Sequence, residues 1–287
     1  MTGVEASTTG VERIAAAFES ARASGRRAAL MPYLMGGFPD LDTSRRIGFA
    51  YADSGADLIE LGVPFSDPLA DGPVIHAAGT AALRAGVRLH DVLGVGRAIA
   101  ERVPVVVMCY ANLIFARGLE RFAEALVDAG ASGLIVPDLP FEEASETRRV
   151  CDERGLALVP LVAPTTPEDR LARIGAQARG FVYTVSVTGT TGERTGVADG
   201  LAGVVARVAA CTAVPVAVGF GISTAEQAGA AAAAGADGVI VGSRLVRAAG
   251  EAASGEAGSG EAGDGGDPVS AVAAIMRELS TGLATRH

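Results

Sequence analysis

A helix–strand junction phrase recurs three times along the chain: SGADLIEL at 54–61, AGASGLIV at 129–136 and AGADGVIV at 234–241. Each ends an amphipathic segment and opens an apolar run. The second-position glycine (Gly55, Gly130, Gly235) suits the left-handed residue that terminates a helix. The apolar residues that follow are consecutive, not alternating, so both faces of the strand are buried and the sheet is parallel. Eight such runs are present: Ala29–Met35, Asp57–Val63, Val103–Tyr110, Gly133–Pro137, Ala157–Val162, Gly180–Ser186, Val214–Gly219 and Gly238–Val241. Helical patterns lie between them, among them TSRRIGFAYADSG, GLERFAEALVDAG and TAEQAGAAAAAG. Eight strand–helix units in 287 residues predict one α/β domain, a (β/α)8 TIM barrel with an extra N-terminal helix at Val11–Ala23 that caps its bottom. The stretch Gly250–Asp267 is Gly, Ala, Ser and acid. It reads as a flexible surface insertion before a last helix, Pro268–Leu283.

Aligned on the repeated glycine, Glu60 stands where the sister units have Ile135 and Ile240. A carboxylate therefore occupies an inward strand position. It is followed at once by the rigid acidic loop of ELGVPFSDPLADGP, Glu60–Pro73, with Asp67 and Asp71. In a barrel, function sits at the carboxyl ends of the strands, where this loop lies. Burial raises a carboxyl pKa and suits it to give and take a proton near neutrality. The structural alternatives are a buried Glu60 paired with an arginine or backbone donors, and an Asp71 bonded to its own turn. Asp67 reads as loop structure or surface contact.

Composition narrows the chemistry further. All 24 basic residues are arginine, so no Schiff base can form on this chain, which excludes imine aldolase chemistry and covalent pyridoxal phosphate. The three histidines, His76, His90 and His287, have no metal-ligand spacing, and His76 and His90 read as non-catalytic. Acid–base work falls to carboxylates or tyrosines. A net charge of -9 disfavours nucleic acid and anionic membranes as partners. No apolar run is long enough to span a bilayer, and no secretory signal is expected at the N-terminus. Cys109, Cys151 and Cys211 are scattered, read as core residues, and fit a reducing cytoplasm.

Two glycine loops, VGFGIS (Val218–Ser223) and VGSRLV (Val241–Val246), follow the last two strands, and the second opens a short helix. Helix-start N–H groups bind anions, and barrels often build a phosphate site there. The loop SVTGTTGERTG (Ser186–Gly196) has the glycines of a closing lid and is expected to be disordered without ligand. Asn112, Phe115, Asp138 and Pro140, at the ends of strands three and four, line a pocket or face a partner.

The segment ELGVPFSDPLADGP resembles the signature of the tryptophan synthase alpha chain family. MPYLMGGFPD, VMCYANLIF, VPDLPFEE, YTVSVTGTTG, VGFGIS and VIVGS are similar to that family in the same order, over roughly Val11 to Val246 and again in the last helix. The resemblance implies a lyase that splits indole-3-glycerol phosphate into indole and glyceraldehyde 3-phosphate by a retro-aldol reaction. It implies Glu60 as the proton shuttle and Asp71 as the group that binds the indole N–H. Tyr183 would lie beside Glu60, and Tyr33, Met108 and Ile240 would line the indole pocket, with Tyr33 where the family often has phenylalanine. Gly192, Gly221, Gly242 and Ser243, with Phe220 near them, would bind the phosphate. The resemblance also implies an alpha2beta2 heterotetramer with a beta chain, which alone would carry pyridoxal phosphate. Asp67, Asn112, Phe115 and Pro140 would face that partner, in the cytoplasm. Two other readings stay open at this point. A barrel that forms indole-glycerol phosphate would be expected to use a lysine, and a non-catalytic partner would have no need of both Glu60 and Asp71.

Overall fold

All three repeat glycines take the left-handed conformation, with φ of 93° at Gly55, 67° at Gly130 and 95° at Gly235, in a computed structural model that describes residues 8–185, 196–219, 221–255 and 266–284. Two positions on, the repeat carries Asp57, Ser132 and Asp237. Asp57 accepts from the Leu30 N–H at 2.8 Å and Asp237 from the Val216 N–H at 2.9 Å, so each carboxylate pins its junction to a neighbouring strand. Arg26 pairs with Asp57 as well.

The elements run α1 (Gly10–Ala23), β1 (Ala29–Met35), α2 (Leu41–Asp53), β2 (Ile59–Gly62), α3 (Pro73–Arg84), α4 (Leu89–Ala100) and β3 (Val105–Met108). Next come α5 (Ala111–Arg117), α6 (Leu119–Asp128), β4 (Gly133–Ile135), a 3₁₀ turn at Phe141–Glu143, α7 (Ser145–Glu153), β5 (Ala157–Leu158) and β6 (Leu161–Val162). The remainder is α8 (Glu168–Gln177), β7 (Val182–Val185), α9 (Gly196–Ala209), β8 (Val216–Gly219), α10 (Ala225–Ala233), β9 (Gly238–Val241), α11 (Ser243–Ser254) and α12 (Pro268–Leu283).

Every strand pair is parallel, in the order β5-β4-β3-β2-β1-β9-β8-β7-β6. The two ends of that order belong to one stretch of chain. The expected fifth strand, Ala157–Val162, divides at Val159–Pro160. Its first half pairs with β4 and its second with β7. The Val159 N–H reaches the Leu134 carbonyl and the Pro160 carbonyl accepts from the Tyr183 N–H, both at 2.9 Å. One interrupted strand thus closes the sheet into a (β/α)8 barrel.

Met31, Leu58, Val106, Ile135, Phe181, Ala217 and Ile240 fill the interior. Ile14 and Phe18 of α1 join that cluster, so the extra helix plugs the barrel from its amino-terminal end. Thr9 and Glu12 form a capping box that starts α1. Ile135 and Ile240 both lie in the interior, and Glu60 is in register with Tyr33 on one side and Val106 on the other. The repeat alignment therefore placed Glu60 correctly inside.

Two expectations near the C-terminus are corrected. The helix after VGSRLV is not short: α11 has 12 residues and continues through Ser254 before Gly255 turns left-handed at φ 73°. The stretch taken as insertion from Gly250 therefore begins as helix. Alanine is the best helix former, Ala249 is buried, and a Cβ at Gly250 would sit 3.0 Å from the Phe38 ring, so this turn packs. Residues 256–265 of the insertion lie outside the described residues. Asp267 at its far end caps α12, accepting from Val269 and Ser270 N–H. Among the described residues, no helix is long and apolar enough to cross a membrane.

Candidate active site

Glu60 is 2% exposed, and its Oε1 has no hydrogen-bond partner among the described residues. Neither an arginine nor a backbone donor neutralises that oxygen. Desolvation, and then the negative charge of Asp71, push its pKa up to about 8. The side chain is a proton donor at neutral pH that becomes a base with a small change in surroundings. Two buried tyrosines flank it. Tyr33 pairs with Glu60 across β1 and β2, and its hydroxyl has only the Met35 sulfur at 3.9 Å as a partner. Tyr183 stands on β7, and burial followed by the charge of Glu60 raises its pKa well above the ordinary value. Both rings need a missing side chain opposite: a Cβ at Gly62 would collide with the Tyr33 hydroxyl, and one at Gly219 with that of Tyr183. Met108 and Ile240 belong to the same interior, and Met108 also packs against the Tyr33 cluster.

Asp71 is half-buried and is held from outside its own turn. The Tyr110 hydroxyl donates to its Oδ1 at 2.8 Å and accepts from the Ala70 N–H at 3.1 Å. The Tyr110 ring stacks on Phe65, with centroids 5.1 Å apart. One tyrosine at the end of β3 therefore fixes the loop between β2 and α3 at three points. Burial raises the Asp71 pKa, while the Tyr110 hydrogen bond and exposed His76 lower it. The charge of Asp71 acts on Glu60, so the two carboxyls are electrostatically coupled. Sequence reasoning missed Tyr110. It sits inside CYANLIF, but nothing local signals a partner 39 positions away.

Across the rim the site changes material. Gly221 precedes α10 with φ 77°. α10 opens on a Thr224–Gln227 capping box. Gly242 is the N-cap of α11 and has no side-chain cap; the Leu245 and Val246 N–H groups return to its carbonyl, which leaves the N–H of exposed Ser243 at the helix start for an anion. Arg244 joins these two loops: it donates to the Ser223 carbonyl and forms a bidentate pair with Glu278 of α12 at 2.6 and 2.9 Å. This brace was also absent from the sequence reading. Gly192, Phe220 and residues 188–195 of the expected lid lie outside the described residues.

Asp67, Asn112, Phe115 and Pro140 are all exposed, on the loops and short helix that leave β2, β3 and β4. Two bulky apolar side chains stand out there, Leu69 at 86% and Phe115 at 52% exposure. Asp138 is turned inward instead, accepting the Ala111 N–H at 2.9 Å and tying the β4 loop to the start of α5.

A protonatable carboxyl inside the barrel, opposite the uncapped start of α11, defines a class: a (β/α)8 barrel with its candidate site at the carboxyl ends of the strands. A family profile described as "Tryptophan synthase alpha chain" matches residues 18–262. The tryptophan synthase alpha chain of Synechococcus elongatus is 52% identical over 231 residues, 80% of this chain and 86% of that protein. That of Methanosarcina mazei is 49% identical over 222 residues, 77% and 81% of the two chains. Among solved structures, a chain of Mycobacterium tuberculosis tryptophan synthase superposes with a TM-score of 0.83 at 40% identity, covering 96% of this chain and 99% of that one. The alpha subunit of Legionella pneumophila gives 0.84 at 35% identity, covering 94% and 98%. The chain belongs to the tryptophan synthase alpha chain family and is a lyase of tryptophan biosynthesis.

Proposed function

We propose that this chain cleaves indole-3-glycerol phosphate to indole and glyceraldehyde 3-phosphate, with Glu60 moving the proton. Neutral Glu60 donates to carbon 3 of the indole ring, which weakens the bond to the side-chain carbon. The resulting carboxylate takes the proton of the adjacent side-chain hydroxyl. The carbon–carbon bond breaks, its electron pair returns to the ring, and the former carbinol carbon leaves as an aldehyde. The proton lost from the hydroxyl replaces the one given to the ring, so Glu60 ends as it began. Asp71, ionised and held by Tyr110, accepts the indole N–H and stabilises the cationic ring. Tyr33, Met108, Ile240 and Tyr183 enclose the indole. Gly221, Gly242 and Ser243 hold the phosphate on backbone N–H groups, with Gly192 and Phe220 contributing from the lid and the β8 loop.

The observation that carries this reading is the unpartnered Glu60 carboxyl, buried and held near pKa 8. A merely structural glutamate would have its oxygens satisfied. For the partner, the exposed apolar Leu69 and Phe115 beside Asp67, Asn112 and Pro140 support docking of a beta chain in an alpha2beta2 assembly in the cytoplasm. Pyridoxal phosphate would reside in the beta chain, since this chain has no lysine to hold it covalently.

The test is indole release from indole-3-glycerol phosphate by wild type and Glu60→Gln, each with and without a cognate beta chain. Cleavage that rises with the beta chain and disappears in the variant is the expected result. Folded wild type that releases no indole under either condition would return the site to a binding role.

A further inference from the structure

A cavity of about 290 Å³ lies between α7 and α8, and neither Glu60, Asp71, Tyr33 nor Tyr183 lines it. It exists because the fifth strand breaks at Pro160. β5 and β6 are two residues each, and the helices that flank them are short, so the outer wall is left partly open there. Its floor is apolar, from Leu158, Pro160 and Ile174. Its polar edge carries two guanidinium groups, Arg148 and Arg170, with Gln177 and the Asp138 carboxylate, which the Ala111 N–H already engages.

Neither guanidinium is fully satisfied. Arg148 is half-buried and lies over the Phe141 ring at 5.0 Å, and its guanidinium makes no hydrogen bond or ion pair among the described residues. Its acidic neighbour Asp152 is already engaged by Arg179 at 3.4 Å. Arg170 gives one nitrogen to Glu142 at 2.9 Å, but its Nε is buried without a partner. A desolvated cation and an orphaned donor on one apolar cavity are costly unless an acceptor arrives. Burial, with Arg179 adding to it and Asp152 opposing, also holds the Arg148 pKa below the usual guanidinium range.

We propose that this cavity binds a small amphipathic monocarboxylate, with its apolar body on Leu158, Pro160 and Ile174 and its carboxylate shared by Arg148 and Arg170. The charge count selects a monoanion. Glu142 already pairs with Arg170 and Asp138 also lines the cavity, so the wall has no surplus positive charge for a phosphate dianion, while a single carboxylate can take the free donors of Arg148 and the Arg170 Nε. The volume lies at the low end of small-ligand sites, about 300 Å³ and upward, which fits a body of about one ring. Pro140 and Phe141 also line the cavity, so a bound anion would sit directly under the β4 loop.

The probe is 4-(trifluoromethyl)benzoate, titrated onto the full chain and followed by fluorine NMR beside the neutral 4-(trifluoromethyl)benzamide. Saturable benzoate binding is expected, with the benzamide about tenfold weaker and Arg148→Gln weakening the benzoate by about tenfold. Ile174→Phe, which fills the floor and leaves both arginines in place, should abolish binding. No saturable binding to wild type would overturn the proposal. So would unchanged affinity in Arg148→Gln and Ile174→Phe with native near-UV dichroism. If Arg148→Gln does not fold, Arg170→Gln and Ile174→Phe decide it on the same criteria. Because none of these residues belongs to the carboxylate chamber, failure here leaves the cleavage reading untouched.

Discussion

The two sides of the barrel mouth are built on opposite principles. On the β1–β3 side the working groups are side chains held in an unfavourable state: Glu60 is buried with an unpartnered oxygen, and Asp71 is partly desolvated. On the β8–β9 side the candidate groups are backbone N–H groups at the uncapped start of α11, presented by Gly242 and braced by Arg244. Proton transfer needs a group whose ionisation is finely balanced, and only desolvation plus a neighbouring charge gives that. Anion binding needs fixed donors that never change state, and backbone amides serve without being buried charges. The first side is expected to cost stability and the second is not.

Substitution can break this contrast. The largest effect should come from Glu60→Gln. Indole release should fall by roughly 10³-fold, within the range for a positioned acid–base group, while KM stays within about threefold. The same variant should be more stable than wild type, and the gain should grow with pH. Burial and the charge of Asp71 push the folded carboxyl up to about 8 from its ordinary value of 4.5, so folding binds a proton across that window. Stability is therefore lost as pH rises through it. At about 1.4 kcal/mol per pKa unit, the gain from Gln is a few kcal/mol above pH 8 and close to zero near pH 5. Denaturant melts at the two pH values check this; equal stabilisation at both would mean that Glu60 is not the titrating group. Asp71→Asn should come next, lowering kcat by about 10²-fold with little change in stability.

On the opposite side, Gly242→Val should raise KM by about tenfold and leave kcat within a few-fold. Any Cβ there stands 3.5 Å from Tyr33, and a branched one crowds the helix start. A kcat loss as large as that of Asp71→Asn would erase the division of labour between the two sides. The smallest effect should be that of Tyr110→Phe, a several-fold loss in kcat/KM. It removes the hydrogen bond that lowers the Asp71 pKa, so the acidic limb of the pH–rate profile should move upward. An unshifted limb would mean that Tyr110 only packs.

Much of this side-to-side contrast is readable in the chain. The three junction phrases give helix end, turn glycine and strand in one piece, and their alignment alone marks Glu60 as facing inward among isoleucines. β1 and β9 match the expected Ala29–Met35 and Gly238–Val241 because both are uninterrupted apolar runs. The fifth strand does not: it changes partner from β4 to β7 inside an apolar run that looks continuous. The alanine-rich end of α11 was misplaced for a related reason. Low-complexity composition looks like linker until packing against Phe38 shows that it is helix.

The sequence by itself determined the periodic framework and the carboxylate out of place within it. Both are local: strand and helix periods, turn glycines and the position of Glu60 are set by residues a few positions apart. Only the tertiary structure decided that Glu60 would have an unpartnered oxygen, that Tyr110 would hold Asp71, that Arg244 would join Ser223 to Glu278, and that one broken strand would close the ring. Each of these depends on which groups meet after the barrel curls. Desolvation and hydrogen bonding act over a few ångströms of space, whatever the distance along the chain.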